Sequence, residues 1–346
     1  MNLSSILLTI IRKLDGERTI YAGFHLLRGK RSGQTLQDVE YYGVKAFFGI
    51  LPKLSLEQFN EAAKELHDAD YISTTADSLV VVTETGRLRA NGLPIYQFNG
   101  WDYRGREMIF FERLSLVVQT ISNFRAGEKS FMPIQREPSI QEFVRKIIAK
   151  QPIRDSGFAK GIAEELESSM NRSGMSDIQK MVLTHRLSGF RMTGWTWDQL
   201  ADRLKQSPFA IRLLFIESLH RLLTVVTTSD EFPFLLKIAE DVKVASYLTD
   251  SSMKTKQLFE RGMSLDEIAI TRNLKTSTIE DHFVEMSIND PRFPLSQFVT
   301  SDSAEAVVAK ANEIGTRRLR LHKSEFNDLS YFQLRLILGA RTGGNP

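Results

Sequence analysis

Apolar residues recur at helical spacing through most of this chain and at strand spacing in one short place. Behind a Ser55…Gln58 capping box, Leu56, Phe59, Ala63 and Leu66 fall three or four apart and predict a helix. Residues 36–48 are predicted helical as well. Tyr71-Ile72-Ser73, a polar stretch over 74–78, and Leu79-Val80-Val81-Val82 predict a β-hairpin, with a further short helix starting at 83–86. An apolar helix is predicted over 107–121. Gly127, Pro133 and Pro138 stand among charges and predict a loop or linker over 123–138. The region 140–248 is predicted helical. Within it, 209–226 is dense in Leu, Ile and Phe, as a buried helix is, and 232–239 continues the pattern.

The most informative stretch is 262–282, which has the pattern of a helix-turn-helix. Ser264 and Glu267 form a capping box, and Leu265, Ile268 and Ala269 give the helix behind it an apolar face. Ala269 is small enough for a second helix to cross close by. Asn273 sits in the turn, Leu274 fills the angle, and Ile279 and Phe283 anchor the second helix. Lys275, Thr276, Ser277 and Thr278 then stand at that helix's N-terminus, where such motifs contact DNA. A second copy is present. Residues 196–211 align with 264–279 without a gap, pairing Thr196 with Ser264, Gln199 with Glu267, Ala201 with Ala269 and Ile211 with Ile279. Ser207-Pro208 is an N-cap followed by proline at the first helical position. Ordinary helical hairpins in a core are the alternative, and equal spacing in two copies weighs against it.

Composition narrows the classes. With 346 residues, two or three domains are expected, and 42% apolar residues suffice for real cores. There is no cysteine, which excludes disulfides and thiolate-ligated metal sites and fits a reducing cytosol. Residues 3–11 are apolar but lack the preceding positive charge and the cleavage site of a signal peptide. No run approaches the roughly 18 residues of a membrane span. A cytoplasmic, nucleoid-associated protein is expected, without a membrane.

Catalytic chemistry finds no support. The phosphate loop G-x-x-x-x-G-K-[ST] is absent, and Gly127-Glu128-Lys129-Ser130 lacks its leading glycine. The histidines, His25, His67, His185, His220, His282 and His322, are scattered without ligand spacing. No enzyme, cofactor or metal is expected. His220 lies in an apolar helix and fits a core position. His282, on the second helix, is a candidate DNA contact or a surface polar residue. The net charge of +3 decides nothing, so clusters matter more. Arg28, Lys30 and Arg31 form one basic group, Arg87 and Arg89 follow the hairpin, and Arg317, Arg318, Arg320 and Lys323 form the densest. Each suits phosphate contact, and each could be a solvated face. Glu280 and Asp281 argue against base reading by the second helix. Trp195 and Trp197 flank the first copy's cap and fit a core, or a docking surface if exposed.

Two resemblances follow from these segments. Phe24-His25-Leu26-Leu27-Arg28-Gly29-Lys30-Arg31, Tyr42-Gly43, the 54–72 stretch and the hairpin with its Val81–Gly86 exit resemble the C-terminal winged-helix domain of RecQ-type helicases, over 18–92. The hairpin is short and has no aromatic at its tip, which argues against a strand-separating pin. From Met253 through Asp290-Pro291-Arg292-Phe293-Pro294 to Ser330-Tyr331-Phe332-Gln333-Leu334-Arg335, the chain resembles the helicase helix-turn-helix domain at the tail of some of those enzymes. The domain order is similar to the YpbB family, stand-alone bacterial proteins made of these accessory parts without the motor. That resemblance implies a RecQ-type helicase partner in trans.

The expected fold is mainly α. An N-terminal winged helix with a small β-hairpin (1–100) precedes a helical middle domain with the first helix-turn-helix at 196–213 (101–250) and a helicase helix-turn-helix domain (251–346). The expected function is a non-enzymatic accessory protein that binds forked, single-stranded or duplex DNA in repair or recombination. A protein-interaction adaptor and a helix-turn-helix transcription regulator reading two half-sites are the alternatives. The DNA-contact candidates are Arg28, Lys30, Arg31, Arg87, Lys275, Thr276, Ser277, Thr278, His282, Arg317, Arg318 and Arg320.

Overall fold

The computed structural model describes residues 1–316 and 318–340. Among them the chain is mainly helical, with nineteen α-helices and one two-stranded sheet. In order come α1 (Leu3–Leu14), α2 (Tyr21–Arg28), α3 (Gly33–Tyr41), α4 (Leu56–Asp68), β1 (Ile72–Thr74), β2 (Val80–Val82) and α5 (Glu84–Asn91). The middle holds α6 (Gly100–Tyr103), α7 (Glu107–Arg125), α8 (Pro138–Ile148), α9 (Ser156–Arg172), α10 (Asp177–His185), α11 (Trp197–Leu204), α12 (Pro208–Thr228) and α13 (Pro233–Ile238). Last come α14 (Asp250–Phe259), α15 (Leu265–Arg272), α16 (Thr276–Asn289), α17 (Ser301–Ile314), α18 (Leu319–Glu325) and α19 (Tyr331–Ala340). No helix among the described residues is long and apolar enough to cross a membrane. Two compact units result: Met1–Ile6, Gly49–Pro52 and Leu93–Val244 in the first, and Leu7–Phe48, Lys53–Gly92 and the residues from Ala245 onward in the second.

The second unit contains the hairpin. The capping box is present, with Ser55 N–H donating to Gln58 Oε1 at 3.3 Å and Gln58 N–H to Ser55 Oγ at 3.1 Å. Helix α4 buries Phe59, Ala62 and Leu66, so Ala62 rather than the expected Ala63 faces inward. The inner stripe runs i, i+3, i+7, one residue off the expected phase. The predicted helix over 36–48 is shorter than expected. It ends at Tyr41, and Lys45–Phe47 forms a separate 3₁₀ turn. In the hairpin, Ile72 pairs with Val82 and Thr74 with Val80. Residues 16–18 lie along β2, joined by Gly16 N–H to the Val80 carbonyl (2.8 Å) and Val80 N–H to the Arg18 carbonyl (2.9 Å). The hairpin exit needs Gly86, because a Cβ there would stand 1.9 Å from the Tyr71 carbonyl oxygen. Thr83 caps α5 from that position, accepting the Gly86 N–H at 3.0 Å.

In the same unit α16 is the central helix, packed by α14, α15, α19 and α3. Ile279 and Phe283 are fully buried. Phe283 meets Phe259 edge-on at 4.8 Å and Phe298 at 5.3 Å, in a ring cluster that also takes in Phe293. The first unit is built around α12, which buries residues on every side and so reads as a core helix rather than a surface one. Helix α7 runs to Arg125, three residues into the expected linker, and α8 starts at Pro138. The stretch between is tied back by Gln119, which accepts Ile134 N–H at 2.8 Å and donates to the Met132 carbonyl at 3.1 Å.

Candidate nucleic-acid interface

Local chemistry shapes both helix-turn-helix copies alike. At α15, Ser264 N–H donates to Glu267 Oε2 at 2.8 Å, and Glu267 N–H reaches Ser264 Oγ at 3.4 Å. The Ser264 backbone N–H, and after it the Ser264 hydroxyl, which donates to the same carboxyl at 2.9 Å, lower the Glu267 pKa. At α11, Thr196 and Gln199 make the same box. Both first helices end on a left-handed residue, Asn273 (φ +50°) and Lys205 (φ +53°), at equivalent places. The next amide then returns to the small residue: Leu274 N–H to the Ala269 carbonyl and Gln206 N–H to the Ala201 carbonyl, both 3.0 Å.

The second helices differ at their starts. Ser207 caps α12, accepting Ala210 N–H at 3.1 Å. Lys275, at the head of α16, supplies no side-chain cap. Lys275, Thr276 and Ser277 are exposed and Thr278 is half-buried. Beyond that turn, 282–288 are buried without interruption. The first turn of α16 is its most open part, with Glu280 and Asp281 half-buried after it.

His282 is therefore turned inward, 7% exposed, and is withdrawn from the candidate contacts. Its Nδ1 bonds the Thr255 hydroxyl at 2.8 Å. Arg272 lies against the same pair and donates to the Ser251 carbonyl at 2.6 Å. The network ties α14, α15 and α16 together. Burial, then Arg272, lowers the His282 pKa, with a smaller opposing pull from Asp281. The folded chain thus binds this proton more weakly than the unfolded chain, whose histidine titrates near 6.5. Its contribution to stability is complete above that pH and is lost as the pH falls. His282→Asn keeps an acceptor near Thr255. It should flatten the decline of melting temperature between about pH 6.5 and pH 5. An unchanged decline would assign it to another group.

Helix α3 packs on α16 from the far end of the chain, and the Arg28–Arg31 segment precedes α3. Arg28, Lys30 and Arg31 are exposed, just past the C-terminus of α2. Arg28 lies over the Phe24 ring, 5.4 Å from its centre. Arg31 donates to the Tyr247 carbonyl at 3.2 Å, just before α14. A Cβ on Gly33 would stand 3.2 Å from Asp281 Oδ1. Asp281 lies one turn along α16 from Ser277, about 6 Å, on the same side. Gly33, two residues past Arg31, thus lies against Asp281, one turn along α16 from Ser277. The fold also answers the two acids. Asp281 is paired with Arg335 at 2.6 Å, and burial raises the Glu280 pKa against the pull of Arg335. Helix α4, which precedes the hairpin, exposes Glu57, Glu61 and Glu65 and is a poor surface for phosphates.

The remaining candidates are dispersed or engaged. Arg87 is paired with Asp15 at 2.7 Å, and Asp15 also accepts Val82 N–H at 2.8 Å. Arg318 donates to the Gly16 carbonyl and lies 3.8 Å from Glu17. Lys323 donates to the Asn327 and Leu329 carbonyls at 2.7 Å each. Arg320 is exposed, and Arg317 lies outside the described residues. The densest basic run in the sequence is therefore no single patch among the described residues. No group of three or more His, Cys, Asp or Glu suited to a metal occurs among them either.

A family model described as a helix-turn-helix domain matches residues 251–338. Over 345 residues, 96% of each chain, the sequence is 27% identical to Protein YpbB of Bacillus subtilis (strain 168). No solved structure matches it. The resemblance to YpbB-like proteins thus runs the length of the chain, and the helix-turn-helix domain begins within α14 and takes in α15, α16 and most of α19. Such a domain implies DNA as a partner.

Proposed function

We propose that this chain is a non-enzymatic DNA-binding accessory protein, working with a RecQ-type helicase supplied in trans in DNA repair or recombination on the nucleoid. The observation that carries the reading is the exposed first turn of α16, with Lys275, inside the matched helix-turn-helix domain, together with exposed Lys30 and Arg31 just before α3, the helix that packs on α16. Point charges and hydroxyls at that place suit phosphate contact, which positions a protein without reading sequence. Burial of 282–288 withdraws most of α16 from a major groove, so little base preference is expected. The missing phosphate loop supports an accessory rather than a motor. The helicase partner rests on the likeness to RecQ accessory domains. A protein-interaction adaptor is the second reading, favoured by that same burial.

The test is titration of the purified chain with duplex, forked and single-stranded DNA across a salt series. About four neutralised phosphates give a log–log slope of roughly −3 to −4 on duplex DNA, and a shallower one on single strands. Affinity should change little with sequence, and the preparation should hydrolyse no ATP with DNA present. Absence of binding at about 50 mM salt places the adaptor first. ATP hydrolysis by a helicase-free preparation ends the accessory assignment.

A further inference from the structure

The copy in the first unit carries charges that its counterpart lacks. In the ungapped register of the two motifs, Arg212 on α12 stands where Glu280 stands on α16. Arg212 is exposed and Glu280 is half-buried. Arg186, in the segment leaving α10, lies over the Trp197 ring at 4.2 Å from its centre, and Arg212 lies over the same ring at 5.7 Å. Phe215 holds that ring edge-on at 5.2 Å. Arg186 is oriented by its bond to the Trp195 carbonyl at 2.5 Å. Two guanidinium groups are thus gathered on one indole.

Among the described residues neither Arg186 nor Arg212 has a carboxylate within ion-pair reach. Burial, and after it the charge of Arg212, lowers the Arg186 pKa. From 186 to 212 the chain holds five Lys or Arg against two Asp, so the surroundings are also basic. Arg203 and Lys205 are exposed nearby in the same motif, with Lys205 loosely paired to Asp202 at 3.3 Å. Solvated cations usually spread apart. These are pre-set by an aromatic platform and a backbone bond, which lowers the ordering cost of binding an anion.

We propose that Arg186, Arg212 and Trp197 form a second DNA-backbone site, in which a phosphodiester bridges the two guanidinium groups beside the indole. The proposal rests on the DNA-binding reading above and adds a contact in the first unit. A phosphodiester brings one negative charge and two oxygens, which satisfy both cations and relieve their repulsion. The sequence signal was the Arg at the Glu280 position. Its meaning depended on Arg186, which lies outside the repeat.

The experiment compares the full chain with Arg212→Glu, Arg212→Ala and Arg212→Lys by anisotropy of labelled duplex DNA over a salt series. Arg212 is exposed, so each variant should melt as the parent does. Arg212→Glu should weaken binding by roughly tenfold at about 50 mM salt, and Arg212→Ala should flatten the slope by about one, while Arg212→Lys keeps the slope. Parental affinity and slope in Arg212→Glu, with weakening by Lys30, Arg31 and Lys275 substitutions, would remove this site and leave the DNA reading standing. A parent that binds no DNA would remove both.

Discussion

Phe283→Ala is expected to destabilise the second unit by about 3–5 kcal/mol, the usual cost of emptying a phenylalanine site in a packed core. Phe283 is fully buried at the middle of α16, with Phe259 at 4.8 Å and Phe298 at 5.3 Å. Neighbouring rings cannot close over the lost volume without leaving their own edge contacts. Domains commonly have about 5–15 kcal/mol in total, so the loss is a large share. DNA binding should fall with it, because the open turn belongs to the same helix. All three tryptophans, Trp101, Trp195 and Trp197, lie in the first unit. Far-ultraviolet circular dichroism should therefore show a transition at lower urea that tryptophan emission does not follow. An unchanged midpoint by both probes would show that the ring cluster contributes nothing.

Local chemistry was legible. Capping boxes at Ser55, Thr196 and Ser264, the hairpin at 72–82 and the ungapped repeat depend on residues three to fifteen apart, and each is present. What distant segments do to one another was not legible. Nothing local says that α3 covers α16, that Asp281 finds Arg335, or that Arg87 finds Asp15. His282 read as a surface residue because Thr255 and Arg272, which satisfy it, lie on other helices. Ala62 replaced Ala63 because a helical stripe of sparse apolar residues admits two phases one residue apart. The basic run at 317–323 read as one patch because linear density counts charges and not their partners. Arg318 and Lys323 turn to carbonyl groups of the protein instead.

Replacing Lys30, Arg31 and Lys275 together by alanine is expected to lower duplex affinity on the order of a hundredfold at about 50 mM salt and to flatten the log–log slope by about 2.7, at about 0.9 per phosphate. All three side chains are exposed, and the one bond lost is that of Arg31 to the Tyr247 carbonyl, so the melting temperature should barely move. Matching alanine changes at Arg87, Arg318 and Lys323 should instead reduce stability, because those cations serve Asp15, Gly16 and the 327–329 carbonyls. The measurement that bears most directly on the account is therefore the salt slope of the Lys30, Arg31 and Lys275 variant beside that of the parent. A slope cut from roughly −3.5 to near −1, with an intact fold, is the expected result. Parental affinity with a parental slope would contradict the composite contact at Arg28–Arg31 and the open turn of α16.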